Sequence, residues 1–161
     1  MKVAVCGAGR GGLTIAAELS FGGHEVRLFQ LPEFKDGLQE IIDNGIKITG
    51  DTYCGHNGII KPDLVTLDAQ EAIQNTEVIM IAVPANAHER FFREIAPFFQ
   101  SGQIIIVNTG YWASLRFNSL ISEYKKDVII AEAELLPYLT GFVSENHVHV
   151  QAKKRSVNLS A

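Results

Sequence analysis

Glycines recur at positions 7, 9 and 12 of Gly7-Ala8-Gly9-Arg10-Gly11-Gly12, directly after the apolar run Lys2-Val3-Ala4-Val5-Cys6. Where a strand turns into a helix, glycine at these intervals does three jobs. The first permits a tight turn, the second lets a bulky anion approach the backbone, and the third lets helix and strand pack closely. Unpaired amides and the positive dipole end of the following helix then form an anion site that needs no basic side chain. The flanks suit this reading: Leu13 to Leu19 reads as a helix closed by Gly22-Gly23, and His24 to Gln30 as a second strand. The strand–helix–strand unit predicts that Gly7, Ala8, Gly9, Arg10, Gly11 and Gly12 meet the pyrophosphate of NAD or NADP.

An open parallel sheet binds ligands beyond the carboxyl ends of its strands, so the other strand ends are candidates too. Gln30 stands where an Asp or Glu usually holds the adenosine ribose 2′-hydroxyl. Its amide can bond a hydroxyl without repelling a 2′-phosphate, for which Arg10, Arg27 or Lys35 could supply positive charge, so NAD and NADP both stay open. Val83 and Pro84 are expected beneath the nicotinamide, although a proline near the first turn is also ordinary helix chemistry. Asn108, in Asn108-Thr109-Gly110, can orient a ribose or substrate group, or simply make a turn. Glu132 ends an apolar strand, where a carboxylate either faces the nicotinamide or pairs with a basic residue. His88, in the first turn of a helix, could face the cofactor cleft or simply the solvent, and a structural role is favoured.

No metal site is expected. Cys6 and Cys54 form neither a disulfide framework nor a spaced metal motif, and Cys6 reads as a small apolar filler. His147 and His149 alternate on a strand with no cysteine or acidic partner beside them in sequence.

These residues need a scaffold of alternating strands and helices. Residues 32–44 read as a helix ended by Gly45, Ile46 to Thr49 as a strand, 50–63 as a loop or edge hairpin, and 65–67 as a short strand followed by a helix that Asp68 caps. Residues 77–83 and 103–107 are nearly unbroken apolar runs, as in parallel strands covered on both faces. A helix from Pro84 to about Phe99 lies between them; one from Ser114 to Lys125 precedes a strand at 128–132. Residues 147–151 and 156–159 alternate around a basic turn and predict an antiparallel hairpin at the sheet edge. The expected fold is α/β: a doubly wound, mainly parallel Rossmann-type sheet with helices on both faces, forming one dinucleotide-binding domain over 1–161.

Composition excludes some classes. A net charge of −4 with no basic stripe argues against nucleic acid, and Lys153-Lys154-Arg155 is too short to be more than a solvated turn. No apolar run approaches a membrane span and none resembles a signal peptide, so a cytoplasmic protein is expected. An apolar strand near the end of the chain predicts exposed surface and hence self-association.

The segments Gly7 to Gly12, Val83-Pro84-Ala85-Asn86-Ala87-His88-Glu89, Gly102 to Gly110, and Ala131-Glu132 through Leu136-Pro137-Tyr138 resemble the N-terminal domain of opine dehydrogenases of the octopine/nopaline type. Thr109 stands where that family usually has proline. The resemblance implies hydride transfer to the imine of an amino acid and a 2-oxo acid. It also implies a helical second domain, outside this chain, that holds the substrate and a catalytic His–Asp pair. On this reading the isolated chain binds cofactor and carries no catalytic residue. Alternatives are the first domain of a ketopantoate-reductase-like or 6-phosphogluconate-dehydrogenase-like enzyme, or a stand-alone nucleotide-sensing or interaction module.

Overall fold

The computed structural model describes residues 1–124 and 126–161, and two sheets organise them. The larger runs in the order Leu159–Ser160 (β11), Ile129–Ala133 (β8), Ile104–Asn108 (β7), Val78–Ile81 (β6), Lys2–Cys6 (β1), Glu25–Phe29 (β2) and Leu64–Thr66 (β5). Every pairing in it is parallel except β11 on β8. The smaller runs Gly58–Ile60 (β4), Ile46–Gly50 (β3), His147–Lys153 (β10) and Tyr138–Ser144 (β9), with β3 and β10 parallel and the outer pairs antiparallel. The helices are Arg10–Phe21 (α1), Leu38–Asn44 (α2), Ala69–Ile73 (α3), His88–Ile95 (α4) and Ala113–Tyr124 (α5).

The apolar strands are continuous because both faces of the large sheet are covered. Ala4, Cys6, Ile79, Ile81, Ile105 and Val107 point into one core, with Phe91, Phe92 and Ile95 of α4 and Phe117 of α5. Val3, Val5, Val26 and Leu28 point into another, with Leu13, Ile15, Ala16 and Ala17 of α1 and with Ile46, Ile48, Val148 and Val150 of the small sheet. Helix α1 therefore lies between two sheets, and every residue from Gly12 to Glu18 is buried. A helix covered on one side only would show a polar stripe there.

Several sequence expectations shift. The hairpin pairing 147–151 with 156–159 does not form: β10 pairs with β9, and Leu159–Ser160 crosses to the edge of the large sheet. Val148 and Val150 are buried against the α1 side, whereas Leu159 is exposed, so only the first of these alternating segments had an apolar face to bury. Residues 32–44 divide into a 3₁₀ turn, Pro32–Phe34, and α2, because Gly37 adopts φ +83° and ends the helical path between them. The 50–63 stretch contains β4, and α4 is flanked by the 3₁₀ turns Ala85–Ala87 and Ala96–Phe98.

Candidate functional site

In the large sheet β1 lies between β2 and β6. The chain leaves β1 through α1 toward β2 and later returns on the other side as β6, so a crevice opens beyond their carboxyl ends. Gly7 begins it. Its φ is +105°, its amide donates to the carbonyl oxygen of Phe29 at 2.8 Å, and a Cβ there would overlap Val83 Cγ1 and come within 2.9 Å of the Ala82 oxygen. A Cβ at Gly12 would overlap the carbonyl oxygen of Gly7. Gly9 differs from both, since nothing lies within 4 Å of where its Cβ would stand. Gly9 is also the N-cap of α1, with no side-chain cap and no acidic residue in the first turn. Helical bonding starts with Leu13 N–H donating to Gly9 O at 2.9 Å, which leaves the preceding amides without an intrahelical acceptor.

A cleft of about 470 Å³ lies against this loop. Gly9, Arg10 and Gly11 form one wall, Ala82, Val83 and Pro84 with Asn108 and Thr109 a second, and Leu136, Tyr138, Leu139 and Thr140 a third. Asn108 is buried and its Nδ2 donates to the Ile81 carbonyl at 3.2 Å, joining the ends of β7 and β6. Ala8 and Gln30 line a smaller recess of about 70 Å³ at the end of β2. The Gln30 Oε1 accepts from the Leu31 amide at 3.0 Å, leaving its NH₂ as the group on offer.

Glu132 does not join them. One of its carboxylate oxygens accepts from Ser114 N at 2.7 Å and from Ser114 Oγ, so it caps α5 rather than facing the cleft or pairing with a base. It lines a different cavity, beside Tyr111, Trp112 and Leu159. Burial alone would raise its pKa, but hydrogen bonds from Ser114 and from the Ala113 and Trp112 amides outweigh it and hold the carboxyl below the ordinary value. Arg27 is likewise committed elsewhere, donating to the carbonyls of Glu71 and Gln74 and pairing with Glu25.

Of the third wall, Leu136 and Tyr138 entered the sequence reading only within a segment that resembles the opine dehydrogenases, and none of its residues was assigned to the site. Residues 136–140 carry no helical or alternating pattern, and their nearest signal is Gly11, whose Cβ would come 2.9 Å from Leu136 Cδ1. Tyr138 in that wall has its hydroxyl pKa raised, chiefly by burial and then by Glu18, Tyr53 and Cys54, so it stays protonated. Burial pushes the Cys6 thiol up to about 12, which removes it as a nucleophile. His147 and His149 both bond Thr49 Oγ1, at 3.1 and 3.0 Å, and among the described residues no group of three or more His, Cys, Asp or Glu could hold a metal ion.

The sequence profile of the family described as NAD-dependent glycerol-3-phosphate dehydrogenase N-terminus matches residues 2–144. The chain belongs to this family. It is therefore an NAD-binding domain, and its relatives include opine dehydrogenases. An opine dehydrogenase of Arthrobacter sp. (strain 1C) is 31% identical over 98% of this chain and 43% of its own length. A glycerol-3-phosphate dehydrogenase [NAD(P)+] of Agathobacter rectalis is 29% identical over 65% of this chain and 30% of its own. Octopine dehydrogenase solved with NADH and L-arginine shares the fold, with a TM-score of 0.84 and 24% identity, over 99% of this chain and 41% of that one. A PanE/ApbA family ketopantoate reductase from Ralstonia eutropha shares it at a TM-score of 0.74 and 21% identity, over 94% of this chain and 47% of that one. The doubly wound fold and the opine dehydrogenase resemblance are thereby borne out. The chain spans less than half the length of these relatives. Among its described residues no helix is long and apolar enough to cross a membrane.

Proposed function

We propose that a nicotinamide dinucleotide lies across the Gly7–Gly12 loop, and that the protein reduces the imine of an amino acid and a 2-oxo acid. The observation that carries the binding half is the contrast along the loop: Gly7 and Gly12 are closed in by backbone, whereas Gly9 faces open space at an uncapped helix N-terminus. The residues fit the group. Amides of the loop and of the first turn of α1 would hold the pyrophosphate, with Arg10 at the cleft wall; Ala8 and Gln30 would meet the adenosine ribose; Val83, Pro84 and Asn108 would meet the nicotinamide end. When bound, the cofactor supplies the hydride.

The cleft's own titratable lining consists of Arg10 and a Tyr138 hydroxyl that burial keeps protonated, so it offers no base of ordinary strength. We therefore assign no catalytic residue to this chain. Residues 1–161 act as one dinucleotide-binding domain, and substrate binding and proton transfer belong to a further part such as the longer relatives have. The small-molecule substrate engages only with that part. A cytoplasmic location and self-association complete the reading, the latter supported by exposed Tyr111, Trp112, Leu115 and Leu159. The family profile supports a second reading, oxidation of glycerol 3-phosphate, which an assay of the full-length protein against both substrate classes separates.

Calorimetric titration of the chain with NADH and NADPH, alongside Gly9→Asp, tests the site. Saturable binding by the wild type and its loss in a variant that still folds is the expected result. Failure of the wild type to bind either cofactor, or undiminished binding by Gly9→Asp, would overturn the reading.

A further inference from the structure

The recess at the end of β2 holds a residue from far along the chain. Its lining includes Ala8 of the glycine loop, Gln30, Asp36, Gly37 and Glu145. Glu145 sits on the turn between β9 and β10, which is held down by Asn146: its Nδ2 donates to the Gly45 carbonyl at 3.0 Å and its carbonyl accepts from Lys47 N at 2.8 Å. The Glu145 side chain is laid over Gly37. Its Cβ, Cδ and Cγ lie 3.4, 3.5 and 3.6 Å from where a Gly37 Cβ would stand. Among the described residues its carboxylate makes no ion pair.

Charge in this recess is one-sided. Asp36 and Glu145 line it, and no lysine or arginine does. The cations the sequence offered lie elsewhere: Arg10 on the larger cleft, Lys35 on a neighbouring hollow with Val65 to Leu67, and Arg27 bonded to the carboxyl end of α3. Gln30 has turned its carbonyl oxygen back on the Leu31 amide, so the group it presents most freely to a ribose is its NH₂ donor.

We propose that Glu145 is the specificity-determining residue for the adenosine ribose, accepting from its hydroxyls and excluding a 2′-phosphate, so that the chain selects NAD over NADP. A carboxylate reaching in from the small sheet thus takes the task usually done by an acidic residue at the end of β2. The inference rests on the dinucleotide reading of the cleft.

The test is calorimetric titration of the chain with NADH, NADPH, ADP-ribose and 2′-phospho-ADP-ribose at fixed salt, for wild type, Glu145→Gln, Glu145→Lys and the remote control Glu123→Gln. The wild type should prefer the unphosphorylated ligand of each pair by roughly tenfold or more, as expected for a phosphate brought beside a carboxylate. Glu145→Gln should erase most of that ratio, Glu145→Lys should invert it, and Glu123→Gln should keep it. A ratio unchanged in both Glu145 variants, or shifted equally by Glu123→Gln, would overturn the role of Glu145 while leaving the dinucleotide site intact. Absence of binding by the wild type would overturn the dinucleotide reading and this inference with it.

Discussion

His88 Nε2 lies 3.1 Å from the carbonyl oxygen of Val83, while its other ring nitrogen, Nδ1, is buried with no partner among the described residues. A carbonyl only accepts, so Nε2 carries a proton, and a second proton on Nδ1 would be buried without an acceptor, which disfavours the charged ring. The contact ties the first residue of α4 to the wall of the cleft, and Phe117 packs edge-on at 6.3 Å. His88 thus faces neither the cleft nor the solvent, the two orientations the sequence offered, but is buried.

That geometry sets a pH dependence. Burial lowers the His88 pKa from its ordinary 6.5, and repulsion from Arg116 adds to it, against the opposing hydrogen bond to Val83 and attraction to Glu132. Between the folded value and 6.5 the unfolded chain binds more protons, so stability is full above 6.5 and declines as pH falls through this window. Thermal unfolding of wild type and His88→Gln at pH 7.5 and 5.5 should show a larger loss in the wild type. Equal losses would mean that His88 titrates in the folded chain as it does in the unfolded one.

Gly9 and Gly12 should respond oppositely to alanine. At Gly12 the new Cβ would overlap the Gly7 carbonyl, a backbone atom that cannot move aside, so overpacking of about 1–3 kcal/mol is expected. That corresponds to a Tm lowered by roughly 2–12 °C for a chain of this size. At Gly9 there is open space, so Gly9→Ala should keep the wild-type Tm within about 2 °C while weakening NADH binding. Scanning calorimetry with NADH titration of both variants checks the contrast, and a Gly9→Ala variant that binds as well as wild type would count against ligand approach at that residue.

The glycine loop was legible because its tightest constraints belong to the turn itself: Gly12 is closed in by the Gly7 carbonyl, and Gly7 by Ala82 and Val83 at the end of the neighbouring strand. The central strands were legible because both faces are buried, so their apolar runs are unbroken. What sequence could not supply was which distant segment covers α1. Tyr138–Ser144 is mostly half-buried or exposed and owes its place to pairing with β10, so neither it nor the third wall of the cleft left a pattern. Glu132 lies apart from the cleft for a physical reason as well. The strand-end rule puts it near the crevice, but α5 begins beside it and the amides of its first turn take up the carboxylate.

Glu132 should therefore matter to stability and not to cofactor. Loss of a helix-capping carboxylate costs about 1 kcal/mol, so Glu132→Ala should lower Tm by roughly 2–4 °C. Because hydrogen bonding holds its folded pKa below the ordinary 4.5, its contribution is complete above 4.5 and fades as pH falls through the folded value. Wild type and variant should converge in stability near the acid end of a pH series of melts. A tenfold loss of NADH affinity in Glu132→Ala would return this residue to the cofactor site.

Glu18 joins the two sheets through α1. It is 6% exposed, and its two carboxylate oxygens accept from Tyr53 N at 2.7 Å and Cys54 N at 3.1 Å, on the loop that leaves β3. Alanine at this position leaves two partly buried amide donors without acceptors, each at a cost of about 1–3 kcal/mol. Glu18→Ala should lower Tm by several degrees, on the order of 2–4 °C per kcal/mol lost. Glu18→Gln keeps one acceptor oxygen and should fall between alanine and wild type. Hydrogen exchange gives the local readout: the amides of Tyr53 and Cys54 should lose protection in the alanine variant, while those of β1 and β6 decline only as far as global stability does. Uniform loss of protection across the chain would show that this loop does not open as a separate unit.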